Sequence, residues 1–271
     1  MGQTRRSENF RRPSFLKKWP EALGRLRRAE RIVLFLDFDG TLVGFKRNPE
    51  DVRLDDSGRR LLERLSRHPR VDLVFISGRR RVDLKRRVGV RGAAYFGLHG
   101  FESRAGIRLS APSRRWLARI CKLVSRRLRG LRGVWLEDKR SSLALHYRDA
   151  PAAAAAKART AVKQVLAAER APLRVLRGKK ILEMLPPEIE GKGAAASALV
   201  QSLGPGALPV YFGDDATDEM AFVALRKLGR NGGPHPVTVH VGSGSRTEAQ
   251  YRVRTVNEVR ICLEWLAETL S

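Results

Sequence analysis

Asp37 and Asp39 stand two residues apart in Asp37-Phe38-Asp39-Gly40-Thr41, straight after the apolar run Ile32-Val33-Leu34-Phe35-Leu36. An extended backbone sends alternate side chains the same way, so both carboxylates face one site beyond the end of a strand. Two neighbouring carboxylates repel each other, and a hard divalent cation with oxygen ligands relieves that repulsion. Gly40 lets the backbone approach a ligand closely, and Thr41 offers a hydroxyl and an N–H to an anion. Taken alone, these residues also read as an Asp-rich turn. Three further clusters shift the balance. Ser77-Gly78-Arg79 brings a hydroxyl, a flexible backbone and a helix start, which together make an anion cradle. Lys192, in Gly191-Lys192-Gly193, supplies a point charge for a phosphate or an aspartate. Asp214, Asp215 and Asp218 supply more carboxylates for a cation. Each has a plainer reading as a turn, a solvated loop or a helix cap. All four in this order favour a site that handles phosphate and metal.

The surrounding elements place these clusters together. The run at 32–36 is short, β-branched and aromatic, as a buried strand is, although periodicity alone does not exclude a helical segment. Helical spacing over 54–67 follows, then a strand-like run at 71–76 that ends at Ser77. A helix at 82–88 leads to a third run at 94–98, which ends at His99-Gly100. This alternation predicts an α/β fold: a Rossmann-like, doubly wound parallel sheet, which binds ligands at the carboxyl ends of its strands. The texture changes over 102–185. A loosely alternating stretch at 104–110, a helix at 116–128, a hairpin at 134–138 and 142–147, an Ala-rich helix at 152–168 and a strand pair at 173–176 and 181–185 predict an inserted small α+β domain. The first texture returns with a helix at 193–203, a strand at 209–212 that ends at Gly213-Asp214, a helix at 220–228, a strand at 237–241 and an amphipathic helix at 256–270. The predicted organisation is a basic, mobile N-terminal arm over 1–29 with a short helix at 20–28, a catalytic core over 30–101 and 186–271, and a cap over 102–185.

Composition narrows the function classes. The chain has 271 residues, 42% of them hydrophobic, which suits a globular protein rather than a disordered one. No apolar run approaches the ~18 residues of a membrane span, and the N-terminus lacks the apolar stretch of a secretory signal. Cys121 and Cys262 both lie in helix-like context and read as reduced thiols, so the expected setting is cytoplasmic. Fifty-four Lys and Arg against 28 Asp and Glu give a net charge of +26. The basic residues are spread along the chain without aromatic interleaving or zinc-finger spacing. That predicts weak non-specific polyanion binding and no specific nucleic acid partner. No pattern specifies an oligomeric state.

The four clusters resemble the four motifs of haloacid dehalogenase superfamily phosphatases. Within that superfamily the chain is similar to trehalose-6-phosphate phosphatases. The added evidence is Gly97-Leu98-His99-Gly100, Glu137-Asp138-Lys139, Ala144-Leu145-His146-Tyr147-Arg148 and Leu182-Glu183-Met184. Leu185 and Gly191 depart from the pattern, where the family usually has Arg and often has Asp. The resemblance implies a sugar-phosphate substrate and Mg²⁺ bound by Asp37, Asp39 (through its carbonyl) and Asp214. It implies Asp37 as nucleophile and Asp39 as acid and base. Gly40, Thr41, Ser77, Gly78, Arg79 and Lys192 would line the phosphate site, with Asp215 and Asp218 positioning Lys192 or a metal-bound water. Glu137, Lys139 and Glu183 on the cap would contact the sugar; His99 and His146 read as structural. Sucrose phosphate and mannosylphosphoglycerate are alternative substrates, and a basic nucleic-acid-binding protein on a phosphatase-like fold is the non-enzyme alternative.

Overall fold

The computed structural model describes residues 12–46, 48–103, 109–178, 180–243 and 246–270. In chain order these form α1 (Trp19–Arg28), β1 (Arg31–Leu36), α2 (Asp56–Ser66), β2 (Val71–Ile76), α3 (Arg81–Val88), β3 (Ala94–Phe96) and α4 (Ala111–Arg127). There follow β4 (Trp135–Asp138), β5 (Leu143–His146), α5 (Ala152–Ala168), β6 (Arg174–Gly178), β7 (Ile181–Leu185) and α6 (Lys192–Leu203). The chain closes with β8 (Ala207–Gly213), α7 (Ala216–Arg230), β9 (Val237–Val241), β10 (Tyr251–Val253) and α8 (Val256–Leu270).

Six strands make one parallel sheet in the order β10-β9-β8-β1-β2-β3. β1 is central, and its alternation divides the core. Ile32, Leu34 and Leu36 join a cluster with residues of α1, α2 and α8. Val33 and Phe35 join another with residues of α6 and α7. Helices therefore cover both faces, and continuous apolar strands follow from burial on both sides. The order reverses at β1, so the sheet's ligand crevice opens beyond the carboxyl ends of β1, β2 and β8.

The inserted unit is a four-stranded antiparallel sheet in the order β4-β5-β7-β6. Leu143, Leu145, Leu182 and Met184 pack beneath Leu117, Ile120 and Val124 of α4 and Ala158 and Val162 of α5. Only one face is covered by helices, so the other alternates to Ala144 and Glu183. Residues 104–108 of the expected first cap strand lie outside the described residues.

Near the N-terminus the structure corrects the mobile arm, whose residues 1–11 lie outside the described residues. The chain from Pro13 onward packs onto the core. Phe15 is buried against Trp19, Phe212 and Tyr251, with ring centroids 5.5, 5.9 and 5.1 Å away. Its N–H donates to the Arg252 carbonyl at 2.8 Å, and the Arg252 N–H donates to the Pro13 carbonyl at 3.0 Å. One buried aromatic anchor outweighs the surrounding Arg-rich polarity. Among the described residues, no helix is long and apolar enough to cross a membrane.

Candidate active site

The carboxyl ends of β1 and β8 place Asp37 and Asp214 side by side. The Asp37 N–H donates to the Phe212 carbonyl at 3.1 Å, which continues the strand pairing one residue past β1. The chain then turns sharply, the Gly40 N–H donating to the Val43 carbonyl at 2.8 Å. Gly40 takes φ +94°, and a Cβ there would overlap the Asp214 carboxylate. Glycine is required at this position for both reasons.

Lys192 begins α6 and extends across to Asp37. Its ammonium is 2.7 Å from Asp37 Oδ1 and 2.8 Å from Asp218 Oδ1, fully enclosed. Asp218 accepts three more hydrogen bonds. Tyr211 donates its hydroxyl to Oδ1 at 2.8 Å, and the backbone N–H groups of Asp214 and Asp215 donate to Oδ2 at 3.0 and 3.1 Å. Asp215 caps α7, accepting from the N–H groups of Thr217 and Asp218 at 2.8 and 3.0 Å. The acidic helix start is thus a capping box as well as part of the site.

Asp37, Asp214 and Asp218 each bring a carboxylate oxygen within 4.8 Å of the others. Asp218 has both oxygens committed to four donors, so it orients Lys192. Asp37 differs: its Oδ2 is buried and has no partner among the described residues, as is true of Thr41 Oγ1. A stranded carboxylate oxygen beside a second carboxylate is a fitting environment for a hard divalent cation. Burial pushes the Asp37 carboxyl up to about 7; Lys192 opposes this, and Asp214 and Asp215 reinforce it. Burial by itself lowers Lys192, but Asp218, Asp37 and Asp215 prevail and hold it well above its ordinary value.

The structure brings Ser77 and Arg79 to the same edge, after β2. Ser77 is buried and its Oγ accepts from the Arg79 N–H at 3.2 Å. Arg79, expected on the phosphate, is a fork on Asp39: Nε lies 2.6 Å from Oδ2 and Nη2 2.8 Å from Oδ1. It also reaches Asp83 at 3.1 Å. A bidentate pair is strong and directional, so the Asp39 carboxylate is fixed on Arg79.

Asp83 collects three arginines, and a stability prediction follows from them. Burial pushes its carboxyl up, but hydrogen bonds from Arg87, Arg79 and Arg86 prevail and hold it at about 2, below the ordinary 3.8. A depressed carboxylate stabilises the fold above its unfolded pKa and loses that contribution as pH falls through the folded one. Denaturant midpoints should therefore drop between about pH 4 and pH 2, and Asp83→Asn should flatten that drop while lowering the midpoint at pH 7.

The cap meets the core over this edge. Lys139 donates to the Gly78 carbonyl at 3.2 Å and pairs with Glu183, which in turn pairs with His99. Burial raises the Glu183 carboxyl, but His99 and Lys139 prevail and hold it well below the usual carboxylate range. Leu98 and His99 adopt φ of +50° and +59°, a strained turn that folds the His99 ring over Gly78. A Cβ on Gly78 would come within 2.8 Å of that ring, which explains the glycine. Glu137 is bonded to His146 Nε2 at 2.8 Å. Sequence reasoning missed Tyr211 and Asp83; His99, read as structural, pairs with Glu183. A hydroxyl inside an apolar strand is the one signal that pointed to Tyr211.

The trehalose-phosphatase family model matches residues 35–257, from β1 into α8. The chain belongs to the trehalose-phosphatase family. It is 37% identical to the trehalose-phosphate phosphatase of Mycobacterium avium over 241 residues, which cover 80% of this chain and 56% of that protein. It is 35% identical over 224 residues to an uncharacterized glycosyl hydrolase of Mycobacterium tuberculosis, covering 76% of this chain and 16% of that one. The chain therefore spans little more than half of the first of these relatives and a small part of the second. The structure of Aspergillus fumigatus trehalose-6-phosphate phosphatase is 27% identical with a TM-score of 0.67, over 96% of this chain and all of that one. That structural match extends over both the parallel core and the separate antiparallel sheet.

Proposed function

We propose that the protein hydrolyses trehalose 6-phosphate to trehalose and phosphate, with Mg²⁺, through a phosphorylated Asp37. The observation that carries this reading is the buried ion cluster at the β1 end. Asp37 is fixed by Lys192, retains one unpartnered oxygen, and faces Asp214 beneath the cap. An oxygen of Asp37 attacks phosphorus, and the bond from phosphorus to the sugar oxygen breaks. Asp39 gives that oxygen its proton and then takes one from the water that releases phosphate. For either transfer Asp39 has to leave the Arg79 fork. Lys192, Ser77, Thr41 and the backbone at Gly40 and Gly78 surround the phosphoryl oxygens. Arg79 serves as the keeper of Asp39 and a rim charge. Asp37, the Asp39 carbonyl and Asp214 would hold Mg²⁺, which offsets the repulsion between anionic nucleophile and anionic phosphate. Lys139 and Glu183 exchange their contacts with each other, His99 and Gly78 for sugar hydroxyls, and Glu137 adds a third polar contact.

Because burial pushes the Asp37 carboxyl up to about 7, a cation held there would compete with a proton. Apparent Mg²⁺ affinity should rise with pH through about 7, with proton release seen by calorimetry in two buffers of different ionisation enthalpy. Phosphate release from trehalose 6-phosphate should require Mg²⁺ and stop in excess EDTA; turnover that persists in EDTA would remove the metal from the mechanism.

A further inference from the structure

One aromatic residue of the cap has no place in the cap's own core. Val134 and Leu136 pack into it, whereas Trp135 between them stays 52% exposed. Register explains the difference. Trp135 pairs with His146 and Glu137 with Ala144, and Ala144 pairs in turn with Glu183. Directly opposed residues in an antiparallel pair project to the same side. Trp135, His146, Glu137 and Glu183 therefore share the sheet face turned away from α4 and α5. That is the face whose Glu183 reaches His99 of the core. Lys139, just past β4, reaches Gly78 from the same side. The four-residue step from Lys139 back to Trp135 runs about 13 Å along an extended chain.

The Trp135 ring is also held in place. It lies flat on the His146 imidazole, with centroids 3.8 Å apart and planes within 6°. His146 is fixed in turn by Glu137 at 2.8 Å. A half-exposed indole backed by a second ring, with a carboxylate beside it, is a rigid surface that loses little freedom when something docks on it. A pyranose is its chemical complement, with C–H groups on one face and hydroxyls at its rim.

We propose that Trp135, backed by His146, is the stacking platform for the sugar unit remote from the phosphate, and that it makes the site selective for a disaccharide phosphate. The inference rests on the disaccharide-phosphate reading above and deepens it. With the phosphoryl group at Asp37, the first ring lies near Lys139 and Glu183. The second ring extends along β4 toward Trp135, with Glu137 beside it. A monosaccharide phosphate ends before the platform, and a small aryl phosphate never reaches it.

Steady-state kinetics of the full chain test this with trehalose 6-phosphate, glucose 6-phosphate and p-nitrophenyl phosphate. Trp135→Ala should raise KM for trehalose 6-phosphate about tenfold, leave kcat within about twofold, and narrow the preference over glucose 6-phosphate. KM for p-nitrophenyl phosphate should not move. Trp135→Phe, which keeps a flat ring, should restore most of the lost affinity. Two results overturn the platform alone: an unchanged KM for trehalose 6-phosphate in Trp135→Ala, or an equal rise for p-nitrophenyl phosphate, which would mark a general disturbance of the cap. A wild-type chain that shows no preference for trehalose 6-phosphate over glucose 6-phosphate would instead overturn the substrate reading, and the platform with it.

Discussion

Asp37→Asn should abolish phosphate release while leaving the protein folded. The substitution is nearly isosteric and keeps an oxygen that accepts from Lys192, so the 2.7 Å contact has a neutral replacement. It removes the anionic oxygen that bonds to phosphorus, and no neighbouring carboxylate substitutes for it. Asp218 is committed to four donors, Asp214 would hold the cation, and Asp39 serves as acid and base. The expected loss in kcat is at least about a thousandfold, the scale seen when a nucleophile is removed from a preorganised site. Stability should change little or rise, because a carboxyl raised to about 7 by burial is an unfavourable place for a charge. Thermal unfolding beside a phosphate-release assay separates the two effects. Unchanged turnover in Asp37→Asn would exclude the covalent route.

Lys192→Met should cost both activity and stability. Its side chain is 1% exposed, and its ammonium joins two buried carboxylates, Asp37 and Asp218. Breaking a buried ion cluster from one side strands the remaining charges and typically costs about 3–5 kcal/mol. The carboxylates would take up protons instead, so the variant should be least stable at high pH and recover partly in acid. Adding Asp218→Asn removes one stranded charge, so the double variant should be more stable than Lys192→Met alone. Activity should stay lost in both, since the cation beside the phosphoryl group is gone. Chemical denaturation of the wild type, the two single variants and the double variant at two pH values checks this; strictly additive effects would mean that Lys192 and Asp218 do not share one cluster.

Legibility in the sequence followed the locality of the forces. Helices at 152–168 and 256–270 and strands at 181–185 and 237–241 lie where their periodicity put them, because propensity and burial agree there. Asp37, Ser77 and Asp214 could be grouped in advance because each follows a buried strand of one sheet. α7 starts at Ala216 rather than 220, because Asp215 and Asp218 close a capping box whose acidity reads as site chemistry alone. β10 was illegible: it has three residues, with Arg252 at its centre. Pairings between distant segments were illegible too. Arg79 with Asp39, His99 with Glu183 and Lys139 with Gly78 depend on how a cap docks on a core. No local pattern of spacing encodes that. The same gap explains why Glu137, Lys139 and Glu183 were foreseen as sugar contacts but not as partners of His146, of each other and of His99.

The family and the ion cluster leave the substrate as the claim with most at stake. The most direct measurement is kcat/KM for phosphate release by the full chain with Mg²⁺, comparing trehalose 6-phosphate with sucrose 6-phosphate and mannosylphosphoglycerate, with Asp37→Asn as the blank. Trehalose 6-phosphate should be the preferred substrate by a wide margin, with the blank inactive on all three. Equal rates across the panel, or a preference for either competitor, would contradict the account.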